Sequence, residues 1–298
     1  MALFKIKTSG NKSKVCFCGI PFCTVKHGNS EIERMIDEKF NMLFYTVLPA
    51  LKKHENVFAK YKNSLKGKEV VLFATGPTCN FFHAMPDKTY VGVNSAYLKQ
   101  NVKLDYLFVE DRYPTIANGI ADIKKYPCKK FYGVHYMQPA GEPFSSISQD
   151  DLSDDAEQFY FLNYDPEELG FFARMNADIT TRPLTTYGSV AFTAMDFILW
   201  THPKRVWLVG CDCAATGHFD AVTDKFKRAA CNTNAVATMK KGWLFYQEFA
   251  GRHYPETEIV SINPVGLKGV FRDVYTESYL NEHPEIDRAA VEVLREDA

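Results

Sequence analysis

Short apolar runs, separated by polar or helical stretches, repeat along the chain from residue 70 to residue 262. The first run, 70–74, contains β-branched residues and ends abruptly in Gly76-Pro77-Thr78. Continuous apolar runs of this kind are typical of parallel strands that are covered on both faces. Similar runs predict strands at Tyr90–Val93, Tyr106–Val109, Lys130–Val134, Arg205–Val209 and Glu258–Ile262. The pattern therefore predicts an α/β domain with a mostly parallel sheet flanked by helices.

Two stretches within this region have the composition of helices rather than strands. Ser189–Trp200 is almost continuously apolar, which predicts a buried helix, and Met239–Phe249 predicts another. Before the domain, residues 14–27 alternate loosely around Gly19-Ile20-Pro21, which indicates a small hairpin. From Ser30 to Leu51, apolar residues recur at helical spacing, which predicts a long amphipathic helix.

These elements predict three parts of the chain. Residues 1–67 form an appendage of a hairpin and a helix, residues 68–275 form a Rossmann-like domain, and residues 276–298 form a helical tail. The tail prediction rests on the charged stretch after Pro284. Residues 139–170 are rich in proline, glycine, serine and aspartate, and a loop of that length inside an α/β domain is usually a lid or an insertion.

Charge and composition narrow the classes of partner. The chain has 298 residues and a formal net charge of -1, so it lacks the strongly basic balance of a nucleic-acid-binding protein. No apolar segment reaches the roughly 20 residues that span a bilayer, and the amino terminus lacks a signal-peptide core. We therefore expect a cytoplasmic protein. A lysine-rich segment at 52–68 leaves open a peripheral association with the inner face of a membrane.

The cysteines do not indicate a metal site or a disulfide framework. Eight cysteines in a chain without a secretion signal favour reduced thiols. Cys16, Cys18, Cys23 and His27 lack the paired Cys-x2-Cys spacing of structural zinc sites, and Cys211 has no base implied by spacing. The sequence predicts no bound metal and no cofactor.

Polar residues follow the apolar runs at the positions where ligands bind in open α/β sheets, beyond the carboxyl ends of the strands. Glycine at such a position lets backbone N–H groups approach an anion, an asparagine can serve a base or ribose, and aspartates can accept from sugar hydroxyls or hold a cation. Each residue is also a common turn or cap residue, but their combination at one sheet edge favours a ligand. The candidates are Gly76, Pro77, Thr78, Asn94, Ser95, Asp111, Arg112 and Asp212.

Two further segments extend this candidate site. Thr186, Gly188 and Ser189 precede the most apolar helix, where hydroxyls and free N–H groups form a natural platform for an anion. An N-cap by Ser189 is the structural alternative and is compatible with that role. His218 lies in a loop of small residues soon after Asp212, where an imidazole could act as general base or donate to a leaving phosphate.

The order of these motifs resembles that of the small bacterial sialyltransferases that use CMP-sialic acid. Those enzymes share a Gly-Pro-Ser turn, an asparagine at a strand end, a Thr-Ser-Gly platform that opens a helix, and a Gly-x-Asp motif. The chain also resembles the domain of motility-associated transferases and hydroxymethylpterin diphosphokinases, in which a small-residue loop and a histidine follow Gly-x-Asp. Phe17-Cys18-Gly19-Ile20-Pro21-Phe22 is similar to an amino-terminal element of bacterial surface-polysaccharide transferases.

The resemblance implies a glycosyltransferase that moves an acidic sugar (sialic acid, a related nonulosonate or Kdo) from a CMP-sugar donor to a glycan acceptor on the bacterial surface, without a metal. Helix N–H groups at Gly188 and Ser189, with Arg112 or His218, would then stabilise the departing phosphate. His218 would be the base, and Asp212 would orient it or bind sugar hydroxyls. The chain departs from the sialyltransferases in having no paired tyrosines after Gly-x-Asp and no histidine near Asn232.

Two alternatives stay open at this point. A Mg²⁺-dependent diphosphokinase acting on a pterin-like substrate would use Asp111 and Asp212 as carboxylate ligands. A protein that only binds a glycan or nucleotide on a similar scaffold needs neither role, because a fold does not fix a function. The donor sugar, acceptor, linkage and oligomeric state are not fixed by the sequence.

Overall fold

The computed structural model of the chain describes residues 4–9, 12–17, 20–26, 48–110, 120–135, 156–163, 176–215, 217–219 and 233–295. The chain divides into two compact units, Met1–Ala50 and Leu51–Ala298. Most of the amphipathic helix that is expected between Ser30 and Leu51 lies outside the described residues.

The first unit contains a three-stranded antiparallel sheet in sequence order. Its strands are β1 (Phe4–Ser9), β2 (Lys12–Phe17) and β3 (Ile20–Lys26). Strands β2 and β3 form the hairpin that the sequence predicts, whereas β1 is an additional strand. The sequence predicts the turn at Gly19-Ile20-Pro21, but Ile20 already pairs with Phe17, so the turn lies closer to the amino terminus than predicted.

The second unit alternates strands and helices along the chain. Its helices are α1 (Leu48–Phe58, which belongs to this unit from Leu51 onward), α2 (Ile120–Lys125), α3 (Ala191–Trp200), α4 (Thr233–His253) and α5 (Glu277–Glu282). Its strands are β4 (Glu69–Phe73), β5 (Thr89–Val93), β6 (Tyr106–Val109), β7 (Lys129–His135), β8 (Glu157–Asn163), β9 (Leu184–Thr186), β10 (Arg205–Val209), β11 (Glu258–Ile262) and β12 (Arg272–Val274). Among the described residues, no helix is long and apolar enough to cross a membrane.

The strands form one nine-stranded sheet in the order β12-β11-β10-β4-β5-β6-β7-β8-β9, and every pair of neighbours is parallel. This confirms the predicted α/β architecture. The chain runs outward from β4 to β9 and then returns to add β10 on the other side of β4. The order therefore reverses between β4 and β10, and crevices at such switch points are where open α/β sheets bind ligands.

Both faces of the sheet are covered, which explains why the strands read as continuous apolar runs. Alternate residues of β4 enter different clusters: Val70 and Leu72 pack on one face, and Val71 and Phe73 pack on the other. On the first face, every residue of α3 is buried. The ring of Phe197 in α3 lies 5.2 Å from the rings of both Phe108 and Phe131, measured between centroids.

Four parts of the fold differ from the sequence predictions. Glu157–Asn163 lies within the stretch expected as a lid but forms β8, an internal strand of the sheet. Thr186, expected as part of the platform before the apolar helix, belongs to edge strand β9. Strand β12 has only three residues and was not predicted. After Pro284 the described chain forms a 3-10 turn at Arg288–Ala290 and a β-bridge between Val293 and Tyr275. The prediction of a charged terminal helix in this stretch is therefore wrong.

A buried histidine connects three elements of the second unit. His54 of α1 accepts a hydrogen bond at Nδ1 from the backbone N–H of Tyr160 in β8, with 3.1 Å between the nitrogens. Its Nε2 lies 2.9 Å from the carbonyl oxygen of Ile179. Since Nδ1 accepts, Nε2 must carry the proton and donate, so this arrangement needs the neutral ring. Burial lowers the pKa of His54 from 6.5 to about 4.

The stability of this unit should fall with acid because of His54. The unfolded chain takes up a proton on His54 below about pH 6.5, whereas the folded chain takes it up only near pH 4, so stability is lost between these values. A shift of this size corresponds to about 3 kcal/mol in the free energy of unfolding. Urea unfolding at pH 7.5, 6 and 5 measures the loss.

The exposed His83 supplies a matched control for this prediction. His54→Gln should flatten the decline in unfolding free energy between pH 6.5 and pH 5, and His83→Gln should leave the decline as it is in the unaltered protein. An equally steep decline in all three proteins would contradict a role for His54.

Candidate active site

The candidate site begins where the backbones of β4 and β10 meet at the switch point. The N–H of Gly76 donates to the carbonyl oxygen of Gly210, with 2.8 Å between the two atoms. A Cβ on Gly76 would lie 2.4 Å from that oxygen, and a Cβ on Gly210 would lie 2.8 Å from the carbonyl oxygen of Ala74. Gly210 also has a φ of +66°, which favours glycine. The two glycines are therefore required for the close approach of the two strand ends.

Asp212 fastens the turn after β4 to the end of β10. Its buried carboxylate accepts from the backbone N–H of Thr78 at 3.1 Å and from the Thr78 hydroxyl. Burial raises the pKa of Asp212, and the two hydrogen bonds from Thr78 oppose this shift. The carboxylate thus binds Thr78 and not His218, so its first role in the structure is to hold the shape of the site.

Thr75, just after the end of β4, holds His218 in place. The Oγ1 atom of Thr75 lies 2.8 Å from Nδ1 of His218, and the N–H of Phe219 donates to the carbonyl oxygen of Thr75 at 2.8 Å. The imidazole is therefore held at one nitrogen by a hydroxyl that can either donate or accept. When Nδ1 donates to Thr75, the basic lone pair of the neutral ring lies on Nε2, which is then the nitrogen that can accept a proton.

Asn94 lies at the end of β5 in a conformation that suits asparagine. Its φ is +45°, and its Oδ1 accepts from the backbone N–H of Glu110 at 3.3 Å. The side chain is almost fully buried but borders the cleft described below. The neighbouring Ser95 is completely buried and does not border the cleft, so the structure separates these two candidates.

The platform before α3 is built partly by its own side chains. The hydroxyl of Thr186 accepts from the N–H of Ser189 at 3.1 Å and donates to the carbonyl oxygen of the same residue at 3.0 Å. The hydroxyl of Ser189 in turn accepts from the N–H of Ala191 at 3.3 Å. Gly188 makes the turn with a φ of +77°. Thr186 therefore closes the turn before α3, and Gly188 and Ser189 are the more exposed part of the platform.

A cleft of about 190 Å³ brings these segments together. The sequence candidates that border it are Gly76, Asn94, Gly188, Ser189, Asp212 and His218. Pro77 and Thr78 lie directly behind it in a 3-10 helix, Pro77–Phe81, that opens with the turn. Asp111 and Arg112 lie outside the described residues, so their predicted roles stay predictions.

Some residues of the cleft were not predicted. Thr75 directly precedes Gly76, and its position at the strand end would have identified it. Met239 and Trp243 form part of the wall from α4, which is distant in sequence and gives no local signal. Behind the cleft, the Thr193 hydroxyl of α3 donates to Glu110 at the end of β6, with 2.6 Å between the oxygens.

The cysteines at the end of β10 are structural in this arrangement. Burial raises the pKa of the Cys211 thiol well above its ordinary value, which disfavours the reactive thiolate. Cys213 has a φ of +48°, and its carbonyl oxygen would lie 2.0 Å from a Cβ on Gly266. The loop after β11 therefore packs directly on the backbone of this segment. Within the described part of the chain, no group of three or more candidate ligands could hold a metal ion.

Comparison with known proteins finds similar structures but no matching sequence. No protein-family model matches the chain. No curated protein matches its sequence. The sialyltransferase CstII from Campylobacter jejuni, solved with the substrate analogue CMP-3FNeuAc, is similar over 65% of this chain and 79% of its own, with 13% identity and a TM-score of 0.34. A mutant of the alpha-2,3/8-sialyltransferase CstII matches 65% of this chain and 81% of its own, with 13% identity and a TM-score of 0.33. These values assign neither a substrate nor any residue of this chain.

Proposed function

We propose that the protein is a glycosyltransferase that moves an acidic sugar from a CMP-linked donor to a glycan hydroxyl. The observation that carries the proposal is the cleft at the switch point, which combines two backbone-lined turns, an amide side chain, a helix amino terminus and a tethered imidazole. The order of motifs in the sequence supports the same activity. A peripheral position at the inner face of a bacterial membrane would suit a surface-glycan acceptor.

The cleft offers a separate group for each part of such a donor. Asn94 would contact the base or ribose with its amide, while the turn at Gly76 would admit the ribose or phosphate close to the backbone. The amino terminus of α3 at Gly188 and Ser189 would stabilise negative charge on the phosphate as it leaves. Arg112 would add a positive charge to the leaving group.

His218 would activate the acceptor. Transfer of a sugar passes through an oxocarbenium-like transition state, in which the acceptor oxygen loses its proton as the new bond forms. With Nδ1 held by Thr75, Nε2 of His218 is the atom that would accept this proton. Asp212 would contribute by holding the Thr78 turn in place, because its oxygens already accept two hydrogen bonds from Thr78.

The same hydrogen bonds weigh against the diphosphokinase alternative. A Mg²⁺ site built on Asp212 would need a carboxylate that is free to turn toward the ion, and this one is buried and committed to Thr78.

A calorimetric titration with CMP, CDP, UDP, GDP and ATP, each in EDTA and in Mg²⁺, tests the proposal. We expect selective binding of CMP that survives EDTA. Mg²⁺-dependent binding of ATP would favour the diphosphokinase instead, and the absence of nucleotide binding would favour a protein that binds only glycans.

Asn94→Asp keeps the oxygen that accepts from the N–H of Glu110 but removes the amide donor, so this variant should weaken CMP binding. Asn101→Asp, at an exposed turn, makes the same change of charge away from the cleft.

A further inference from the structure

A second cavity lies at the opposite edge of the sheet, where β4, β10 and β11 begin. It has a volume of about 360 Å³ and is lined by the segments that lead into these strands, namely 66–67, 202–204 and 253–257. By volume it has room for on the order of ten water molecules, which is more than a diphosphate displaces. It shares no lining residue with the cleft at the carboxyl ends of the strands.

The walls of this cavity are held by hydrogen bonds and ring contacts. The final carbonyl groups of α3 are capped, because Asn63 donates to the oxygen of Trp200 and Leu65 donates to the oxygen of Thr201, each at 3.1 Å. His202 follows with a φ of +55°, and its ring meets that of Tyr254 edge-on, with centroids 4.8 Å apart. These contacts hold the segment around His202 in place beside the cavity.

Most of the ionisable side chains around the cavity are cationic or can become so. Lys66, Lys204, His202 and His253 line it, and Glu256 is the carboxylate among the lining residues. Lys62 is close by, with its Nζ 4.7 Å from the centre of the Trp200 ring. Lys204 also contacts Glu69 at 3.2 Å, outside the cavity. The lysine-rich segment 52–68 thus supplies Lys66 to the lining of the cavity and Lys62 to its surroundings.

We propose that this cavity binds a phosphate-bearing anion, at a site separate from the candidate active site. Lysine supplies a point charge for a phosphate, and a protonated imidazole supplies an additional donor. The oxygens of a phosphate could contact the two lysines and two histidines that line the cavity. This inference does not depend on the proposed function, because no residue is common to the two sites.

Binding should be coupled to the protonation of His202. Burial lowers the pKa of His202, and the positive charges of Lys66 and Lys62 lower it further, while Glu256 acts in the opposite direction. A bound anion would offset the repulsion from the lysines and favour the protonated ring. The pKa of His202 should therefore rise on binding, and affinity should increase as the pH falls toward that pKa.

Titration of the full chain with inorganic pyrophosphate, followed by NMR of labelled histidines, tests the site. We expect saturable changes at His202 and His253 and a rise in the pKa of His202. Lys66→Gln should weaken binding about tenfold, as expected for loss of one charge-assisted hydrogen bond. Lys103→Gln removes an exposed lysine from outside the cavity and should leave binding unchanged. Changes that do not saturate, or equal losses in both variants, would overturn the proposal.

A second arm distinguishes the source of the phosphate group. Sedimentation with vesicles that contain phosphatidic acid, reduced by pyrophosphate and by Lys66→Gln but not by Lys103→Gln, would identify a lipid headgroup. Binding of pyrophosphate without sedimentation would identify a soluble ligand. His218→Ala, in the other site, should leave the pyrophosphate dependence of the His202 and His253 signals unchanged, and a change in that dependence would contradict the separation of the two sites.

Discussion

Replacement of His218 by alanine is expected to lower the turnover of sugar transfer about 10²- to 10⁴-fold, the usual contribution of a positioned general base. The affinity for CMP should change little, because the imidazole would act on the acceptor proton rather than on the nucleotide. Turnover is measured as CMP released from a panel of CMP-linked acidic sugars, and affinity by calorimetry with CMP. The split between the two quantities is the specific expectation.

Thr75→Val provides a second variant for the same hypothesis. Valine keeps the shape of threonine but cannot hold Nδ1 of His218, so the ring should lose its fixed orientation while remaining present. Turnover should fall by about tenfold, the equivalent of one hydrogen bond of ordinary strength. If His218→Ala leaves turnover unchanged, His218 is not the base and the hypothesis is contradicted.

Replacement of Arg182 by leucine is expected to destabilise the second unit by about 3–5 kcal/mol. Arg182 donates two hydrogen bonds to the carboxylate of Asp196 in α3, at 2.8 and 2.9 Å, and both side chains are buried. The carboxylate also accepts from the backbone N–H of Thr185 in β9 at 3.2 Å. Without the guanidinium, a buried charge would keep only part of its partners. Urea unfolding of the single variant measures the cost.

The double variant Arg182→Leu/Asp196→Leu separates the two sources of that cost. Removing both charges should recover most of the lost stability, because apolar side chains can replace a buried ion pair with little penalty. The N–H of Thr185 loses its acceptor in the double variant, so recovery should be incomplete. If the double variant loses as much free energy of unfolding as the two single variants combined, the two charges do not stabilise each other and the expectation is contradicted.

The central strands could be predicted because their signal is local. Strands β6, β10 and β11 begin and end where the apolar runs do, and α3 is nearly as the sequence indicates. Strand β8 was missed because Glu157–Asn163 lies at the end of a polar, aspartate-rich stretch. Strand β12 was missed because a run of three residues carries no periodicity. The short β12 depends on pairing with β11, whereas β8 itself contains an apolar run, Phe159-Tyr160-Phe161-Leu162.

The residues of the candidate site were easier to predict than their roles. Strand ends in a parallel sheet meet at one edge, so Gly76, Asn94 and Asp212 could be grouped from sequence alone. The sequence could not show that Asp212 binds Thr78 or that Thr75 holds His218, because these contacts join positions more than 130 residues apart. The orientation of two side chains so far apart in sequence depends on tertiary packing, which a local sequence pattern does not reveal.

The switch point also has a consequence for how the protein folds. The contacts that make the cleft join Thr75, Gly76 and Thr78 to residues 134 to 143 positions later in the chain. During synthesis, the edge of β4 that receives β10 therefore stays unpaired until residues beyond 205 have emerged. Parallel pairing across so long a separation is slow, because the entropy of closing the loop is lost before the contacts form. A nascent chain that stops before β10 would expose an apolar strand edge, so this protein should depend on chaperones more during synthesis than its finished sheet would indicate.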